Sequence, residues 1–379
     1  MLSPDEVRFL AVLVQRGHLG KSEAEQALAA CSHGGTGETV EQLMTRLGLM
    51  SAEQVRFLRT TGGEDVPVVP GFTYLSKAGV GGTSVVMRAR EDKTGREVAI
   101  KVMHAALHQD PEQRRRFVRE AKLLVKLQHE NIVGGHRVGS VKDRSGAERL
   151  VFIMDWVPGD SLLALLRSGM QFHEDAALFI ILQAARALES MHAQGILHRD
   201  VKPDNILLTR DNGVKLIDLG FATSIHEAHD VGSDTTLGTA AYMSPEQAQG
   251  TADLDERSDI YALGATLYQI VVGELPFTGE GTQEQLAARI LETLSSPELQ
   301  SRRISPHMNY FIRKMMEQDR AFRYQTTAEL IADIEEQIRG KKTLSFREGG
   351  SDTTLDMPFQ SPPDAPQNPR FPVVRKRPR

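Results

Sequence analysis

One segment narrows the possibilities for this chain more than any other. It reads His198-Arg199-Asp200-Val201-Lys202-Pro203-Asp204-Asn205, and thirteen residues after Asn205 comes Asp218-Leu219-Gly220. The residue types suit a site for phosphoryl transfer, which asks a protein for positioning and for cations on phosphate oxygens rather than for covalent help. Asp200 can accept the proton of an attacking hydroxyl. Asn205 and Asp218 offer hard oxygen ligands of the kind Mg²⁺ prefers. Lys202 can reach the oxygens on which charge shifts as the phosphoryl group moves.

The spacing of these motifs resembles that of the protein kinases, and more closely that of the bacterial eukaryotic-like (Hanks-type) serine/threonine kinases, over residues 72–339. The resemblance implies an α+β, bilobal kinase fold with a small β-rich lobe and a helical lobe, binding ATP and Mg²⁺ and acting on protein substrates. It implies that Asp200 and Lys202 are catalytic and that Asn205 and Asp218 hold the metal. Lys101, in Val98-Ala99-Ile100-Lys101, would take the nucleotide phosphates, and Glu120 would hold Lys101 in place.

The glycine-rich stretch Gly79-Val80-Gly81-Gly82-Thr83-Ser84 would cradle those phosphates, with Ser84 standing where the family has its third glycine. Val86, Ala99, Met154, Asp155, Val157 and Leu207 would surround the adenine, the run Asp155-Trp156-Val157-Pro158-Gly159 serving as the hinge. Trp156 is unusual there. Leu219 replaces the family's Phe beside Asp218, and Ser244 its Ala two residues before Glu246. Glu246 would pair with Arg323, and Asp259 would brace the catalytic loop. Thr239, in Gly238-Thr239-Ala240-Ala241-Tyr242, would bridge Asp200 and Lys202, which together with Lys202 points to hydroxyl amino acids of the serine/threonine type.

By the same resemblance Asp218 to Glu246 would be the activation segment, and Arg199 beside Asp200 offers a cation for a phosphothreonine in it, with Thr235 and Thr236, then Thr223 and Ser233, as candidates. The segment also has an echo. Gly232-Ser233-Asp234-Thr235-Thr236-Leu237 recurs letter for letter as Gly350-Ser351-Asp352-Thr353-Thr354-Leu355. The repeat implies that one active site phosphorylates both copies. Asp356, three residues past Thr353, gives the spacing favoured by phosphothreonine-reading domains.

Around this region the chain divides by composition. Residues 1–60 read as a small all-helical module for docking or regulation. Three stretches suggest capping boxes: Ser3-Pro4-Asp5-Glu6, Ser22-Glu23-Ala24-Glu25 and Ser51-Ala52-Glu53-Gln54. Val7, Leu10, Ala11 and Val14 are expected to form the buried face of its first helix. The module is weakly similar to the helical N-terminal modules of secretion ATPases, and no ligand carries over. Residues 61–71 have the Gly and Pro content of a linker. From about Gly340 a Pro- and Ser-rich tail with a basic end, Arg375 to Arg379, reads as disordered.

A net charge of -5 gives no general affinity for nucleic acid. One cysteine, Cys31, excludes an internal disulfide framework and favours a reducing compartment. No apolar run reaches the ~20 residues of a membrane span, and the expected location is the cytoplasm. A non-catalytic scaffold on the same fold is the rival reading.

Overall fold

The computed structural model describes residues 2–31, 39–143, 145–219, 222–224, 241–251, 253–276, 304–340, 344–348 and 351–355. The chain separates into two compact units. The first takes residues 1–125 and 135–156, the second 126–134 and 157–379.

The first unit begins with helices α1 (Pro4–Gln15), α2 (Lys21–Cys31), α3 (Val40–Arg46) and α4 (Ala52–Thr61). Ser3 caps α1 through Glu6 N, and Ser51 with Gln54 forms a full capping box on α4. The box expected at Ser22 is not formed. Helix α2 already starts at Lys21, and Gly20 N donates to Glu23 Oε2 instead. A further box, Thr39 with Gln42, starts α3. The buried face of α1 is Phe9, Leu10 and Leu13, whereas Val7 is 44% exposed. The expected stripe was one position off because the bulk of Phe9 and Leu13 outweighs that of Ala11 in apolar area buried. These residues join Val40, Leu43, Met44, Val55 and Leu58 in one small core.

A five-stranded antiparallel sheet follows, in the order β1 (Phe72–Val80), β2 (Ser84–Glu91), β3 (Glu97–Met103), β5 (Glu148–Asp155), β4 (Gly135–Lys142). Helix α5 (Pro111–Lys126) lies between β3 and β4 in the chain, capped by Asp110, which accepts from Glu112 N and Gln113 N. Side chains alternate across a strand, and here that alternation sorts core from site. Val85, Met87, Val98, Ile100, Val102, Val151 and Ile153 pack on one face with Val66, Val69 and Phe72. The other parity carries Val86, Ala99, Lys101 and Met154.

The stretch between α4 and β1 has no helix or strand, yet Glu64, Val66 and Val69 on it are all buried. It is a packed strap whose apolar residues belong to the sheet's core.

The second unit contains β6 (Gly159–Ser161), α6 (Leu162–Arg167), α7 (Glu174–His192), β7 (Ile196–Leu197), β8 (Ile206–Thr209), β9 (Val214–Leu216), β10 (Thr223–Ser224), α8 (Pro245–Ala248), α9 (Glu256–Val272), α10 (Pro306–Met315) and α11 (Thr327–Ile338). Helix α9 is buried on every side from Ser258 to Gln269, as befits the centre of a helical core. Helix α7 packs against α9 and α11 and ends near Gly195, whose φ of +69° lets the chain turn toward the segment at 198–205.

The tail from Gly340 departs from the disordered reading over two short strands. β11 (Leu344–Glu348) pairs antiparallel with β12 (Ser351–Leu355). Apolar residues at 344 and 346 and threonines at 353 and 354 favour extended strands, which the Pro-rich composition masked. Among the described residues, no helix is long and apolar enough to cross a membrane.

Candidate active site

In the first unit, Lys101 is 6% exposed and its Nζ donates to Glu120 Oε1 at 2.6 Å, Glu120 being buried on α5. A buried ion pair like this is costly to break, because either charge left alone has lost its water. Lys101 stands opposite Val86 on β2 and Phe152 on β5, and Ala99 stands opposite Met154. The expected phosphate lysine and three of the expected adenine contacts therefore share one sheet face.

Strand β1 leads directly into the glycine-rich turn, where Gly81 N donates to Ser84 O at 2.8 Å. A Cβ placed on Gly79 or Gly82 would meet nothing within 4 Å, and on Gly81 only Ser84 O at 3.7 Å. None of the three has a positive φ. Neither crowding within the chain nor backbone geometry calls for glycine at these positions, and what the missing Cβ atoms leave is room for a close ligand. At the end of β5, Asp155 Oδ1 accepts from His136 Nε2 at 2.8 Å. The unusual Trp156 lies under the Arg88 guanidinium, 5.3 Å from its ring centre, and Arg88 is held in turn by both carboxylate oxygens of Glu97. Trp156 is thus fixed by a cation–π contact to strand β2.

In the second unit, the polar groups of the 198–205 segment hold one another. Lys202 Nζ lies 2.9 Å from Asp200 Oδ1 and 2.8 Å from Oδ2. Asn205 Nδ2 donates to Asp200 O at 2.7 Å and to its Oδ2 at 2.9 Å. With its nitrogen spent on Asp200, Asn205 has its oxygen left for a cation. Burial pushes the Asp200 carboxyl up and the Lys202 ammonium pulls it back, leaving it above an ordinary aspartate. Asp200 N donates to His198 Nδ1, and burial lowers the pKa of that imidazole.

Asp259, 1% exposed on α9, accepts from His198 N at 2.8 Å and Arg199 N at 2.7 Å. Arg199 has φ +66°, a conformation rare for a residue with a side chain. Asp259 holds it from its nitrogen, and Gln247 Nε2, donating to Arg199 O at 3.1 Å, holds it from its carbonyl. Sequence reasoning found Asp259 but not Gln247, whose only signal is its place in the α8 capping box opened by Ser244. That box also gives a reason for serine at 244. Glu246 and Arg323 pair through two bonds, 2.6 and 2.8 Å, with Arg323 2% exposed.

Asp218 follows β9 with φ +63°, and Ile217 N donates to Asn205 O, so the two expected metal ligands share one stretch of backbone bonding. Leu219 is buried, as an apolar replacement for Phe should be, and Leu207 lies half-buried on β8. Thr239, Thr235, Thr236 and Ser233 lie outside the described residues. Among the described residues, no group of three or more His, Cys, Asp or Glu side chains forms a metal cage. One amide and one carboxylate fit an ion whose remaining ligands are waters and nucleotide phosphates.

The family description for the protein kinase domain matches residues 72–333. The chain belongs to the protein kinase family, whose members use ATP and a divalent metal ion. It is 36% identical over 264 residues to the probable serine/threonine-protein kinase CPE1738 of Clostridium perfringens, an alignment covering 70% of this chain and 38% of that protein. It is 36% identical over 257 residues to the serine/threonine-protein kinase PknB of Mycobacterium leprae, covering 68% and 41%. To the probable serine/threonine-protein kinase CE0033 of Corynebacterium efficiens it is 37% identical over 263 residues, covering 68% and 40%. The matched region thus spans about two-fifths of these relatives' length.

Proposed function

We propose that this chain is a Mg²⁺- and ATP-dependent protein serine/threonine kinase that works in the cytoplasm. The observation that carries this reading is the Asp200–Lys202–Asn205 cluster, braced by Asp259. Asp200 orients the substrate hydroxyl and accepts its proton. Asn205, hydrogen-bonded to Asp200, and Asp218 would hold the metal ion that offsets the phosphate charge. Lys202 steadies the transferred group, and Lys101, fixed by Glu120, takes the α- and β-phosphates. Gly79, Gly81 and Gly82, lacking Cβ atoms, let the phosphates approach the backbone closely. Val86, Ala99, Met154, Asp155, Val157 and Leu207 hold the adenine. Bound ATP supplies the phosphoryl group, and Mg²⁺ offsets its charge.

The kinase regulates itself through its activation segment. Phosphate on Thr235 or Thr236 pairs with Arg199, and Thr239 ties Asp200 to Lys202. The letter-for-letter copy at 350–355 makes Thr353 and Thr354 substrates of the same site, and phosphorylated Thr353 recruits a phosphothreonine-reading partner. The helical module docks a partner of its own.

The deciding assay compares wild type with Asp200→Asn in Mg·ATP. Loss of a positioned base costs about 10²–10⁴-fold in kcat, with KM for ATP little changed. Equal turnover by the two proteins would favour the scaffold reading. Mapping of phosphosites after autophosphorylation tests the tail: label on the activation segment with none on Thr353 or Thr354 would refute the shared-substrate idea.

A further inference from the structure

The strap at residues 62–70 lies outside the region matched to the kinase family, yet it holds a buried carboxylate. Glu64 is 5% exposed, and its Oε1 accepts from Arg16 Nη2 at 2.8 Å and from Lys77 Nζ at 3.2 Å. Arg16 directly follows helix α1 of the module. Lys77 lies on β1, two residues before Gly79. One oxygen therefore links the module, the strap and the strand that delivers the glycine-rich turn.

The contacts around Glu64 leave it little latitude. Gly62 and Gly63 have φ of +62° and +74°. A Cβ on Gly62 would come within 2.9 Å of Lys77 Nζ, and one on Gly63 within 2.8 Å of Val12 Cγ1 on α1. His18 Nε2 donates to Gly63 O at 2.8 Å. The neighbouring Asp65 is held by Arg149, 2% exposed, which also donates to Met103 O at the end of β3.

Past Val80 the turn is held by Gly81 N, which donates to Ser84 O at 2.8 Å, and by His104 N, which donates to Thr83 O at 3.0 Å. On the far side His104 Nε2 donates to Gly81 O at 2.9 Å. Val80 is half exposed, and it borders an open cavity of about 550 Å³ shared with Arg16, His18, Glu64 and Arg149. Val80 faces open space, and the Glu64–Lys77 pair lies three residues ahead of it on β1.

We propose that Glu64 is a positioning residue for nucleotide binding: by holding Arg16 and Lys77 together it lets the helical module set the placement of Gly79–Gly82, and with it the affinity for ATP. This rests on the nucleotide-binding reading of that turn. The test uses the full chain with Glu64→Gln, Glu64→Asp and Arg16→Gln. Three quantities are measured: ATP dissociation by equilibrium titration, kcat and KM, and amide hydrogen exchange across residues 79–84.

Glu64→Gln is expected to weaken ATP binding and raise KM roughly 10-fold, about 1.4 kcal/mol, with kcat unchanged. Exchange at 79–84 rises while that of α3 does not. Arg16→Gln moves the same quantities less, and Glu64→Asp recovers part of the loss. Wild-type KM and exchange in Glu64→Gln overturn the proposal. If that variant fails to fold, wild-type ATP binding in a folded Arg16→Gln overturns it equally. Failure of the wild-type protein to bind ATP would instead sink the nucleotide reading beneath it.

Discussion

At His192, burial and ion pairing pull in opposite directions. Burial works against the protonated ring, but the carboxylates of Asp259 and Glu256 win and raise its pKa to about 9. The protonated ring donates from Nε2 to Asp259 Oδ2 at 2.8 Å and from Nδ1 to Thr327 Oγ1 at 2.7 Å. Asp259 is held below an ordinary aspartate: burial raises it, and the His192 bond and charge outweigh that. The same Asp259 braces His198 and Arg199, so one imidazolium stands behind the catalytic segment. Because the folded-state pKa lies above the usual 6.5, this stabilisation is complete below about pH 6.5 and is lost as the pH rises through about 9. The shift corresponds to something on the order of 3 kcal/mol. Urea midpoints measured across that range should fall steeply for wild type and more shallowly for His192→Gln; parallel curves would show that His192 does not carry the effect.

At the level of elements, the end of the activation segment is secured by side chains distant in sequence. Helix α8 is too short to stand alone. Its capping box, the Gln247 bond to Arg199 O and the Glu246–Arg323 pair hold it in place. Ser258 Oγ adds a bond to Glu246 Oε1 at 2.8 Å, and the Arg323 guanidinium lies 5.0 Å from the Tyr261 ring. Arg323→Ala leaves Glu246 buried without its cation, which costs about 3–5 kcal/mol. Denaturant unfolding checks this, and a loss below about 1 kcal/mol, the range of an exposed pair, would mean that water replaces the guanidinium.

On the scale of the whole molecule, the helical module and the sheet of the first unit share apolar contacts. Phe57 on α4 packs against the sheet core, its ring 6.1 Å from that of Tyr74 on β1, while the strap contributes Val66 and Val69. The two parts are expected to unfold together. Phe57→Ala should cost about 2 kcal/mol, less than the ~3–5 of a fully buried phenylalanine. It should lower the hydrogen-exchange protection of β1 and β2 along with that of α4. Loss of protection in α4 alone would show two independent folding units.

The strands read at Phe72–Lys77, Val85–Arg90 and Glu97–Met103, the helix start at Asp110-Pro111 and the cluster at 198–205 are all legible in the sequence, since each follows from local alternation, capping or motif spacing. Helical periodicity marks Phe117, Ala121, Leu124 and Leu127 as a buried stripe, and all four are buried, Leu127 one residue past the end of α5. It misplaced the stripe of α1 and hid the hairpin of the tail, because a short window does not weigh side-chain bulk or a partner strand. His192 and the Glu64 clamp had no local signature, and Gln247 had only its place in a capping box. A hydrogen bond between residues 48 apart, such as Gln247 to Arg199 or Arg16 to Glu64, has no period and no motif. The sequence by itself determined which groups are able to hold a nucleotide and take a proton. Only the tertiary structure decided what holds those groups still, because burial and long-range pairing arise when distant segments close on one another.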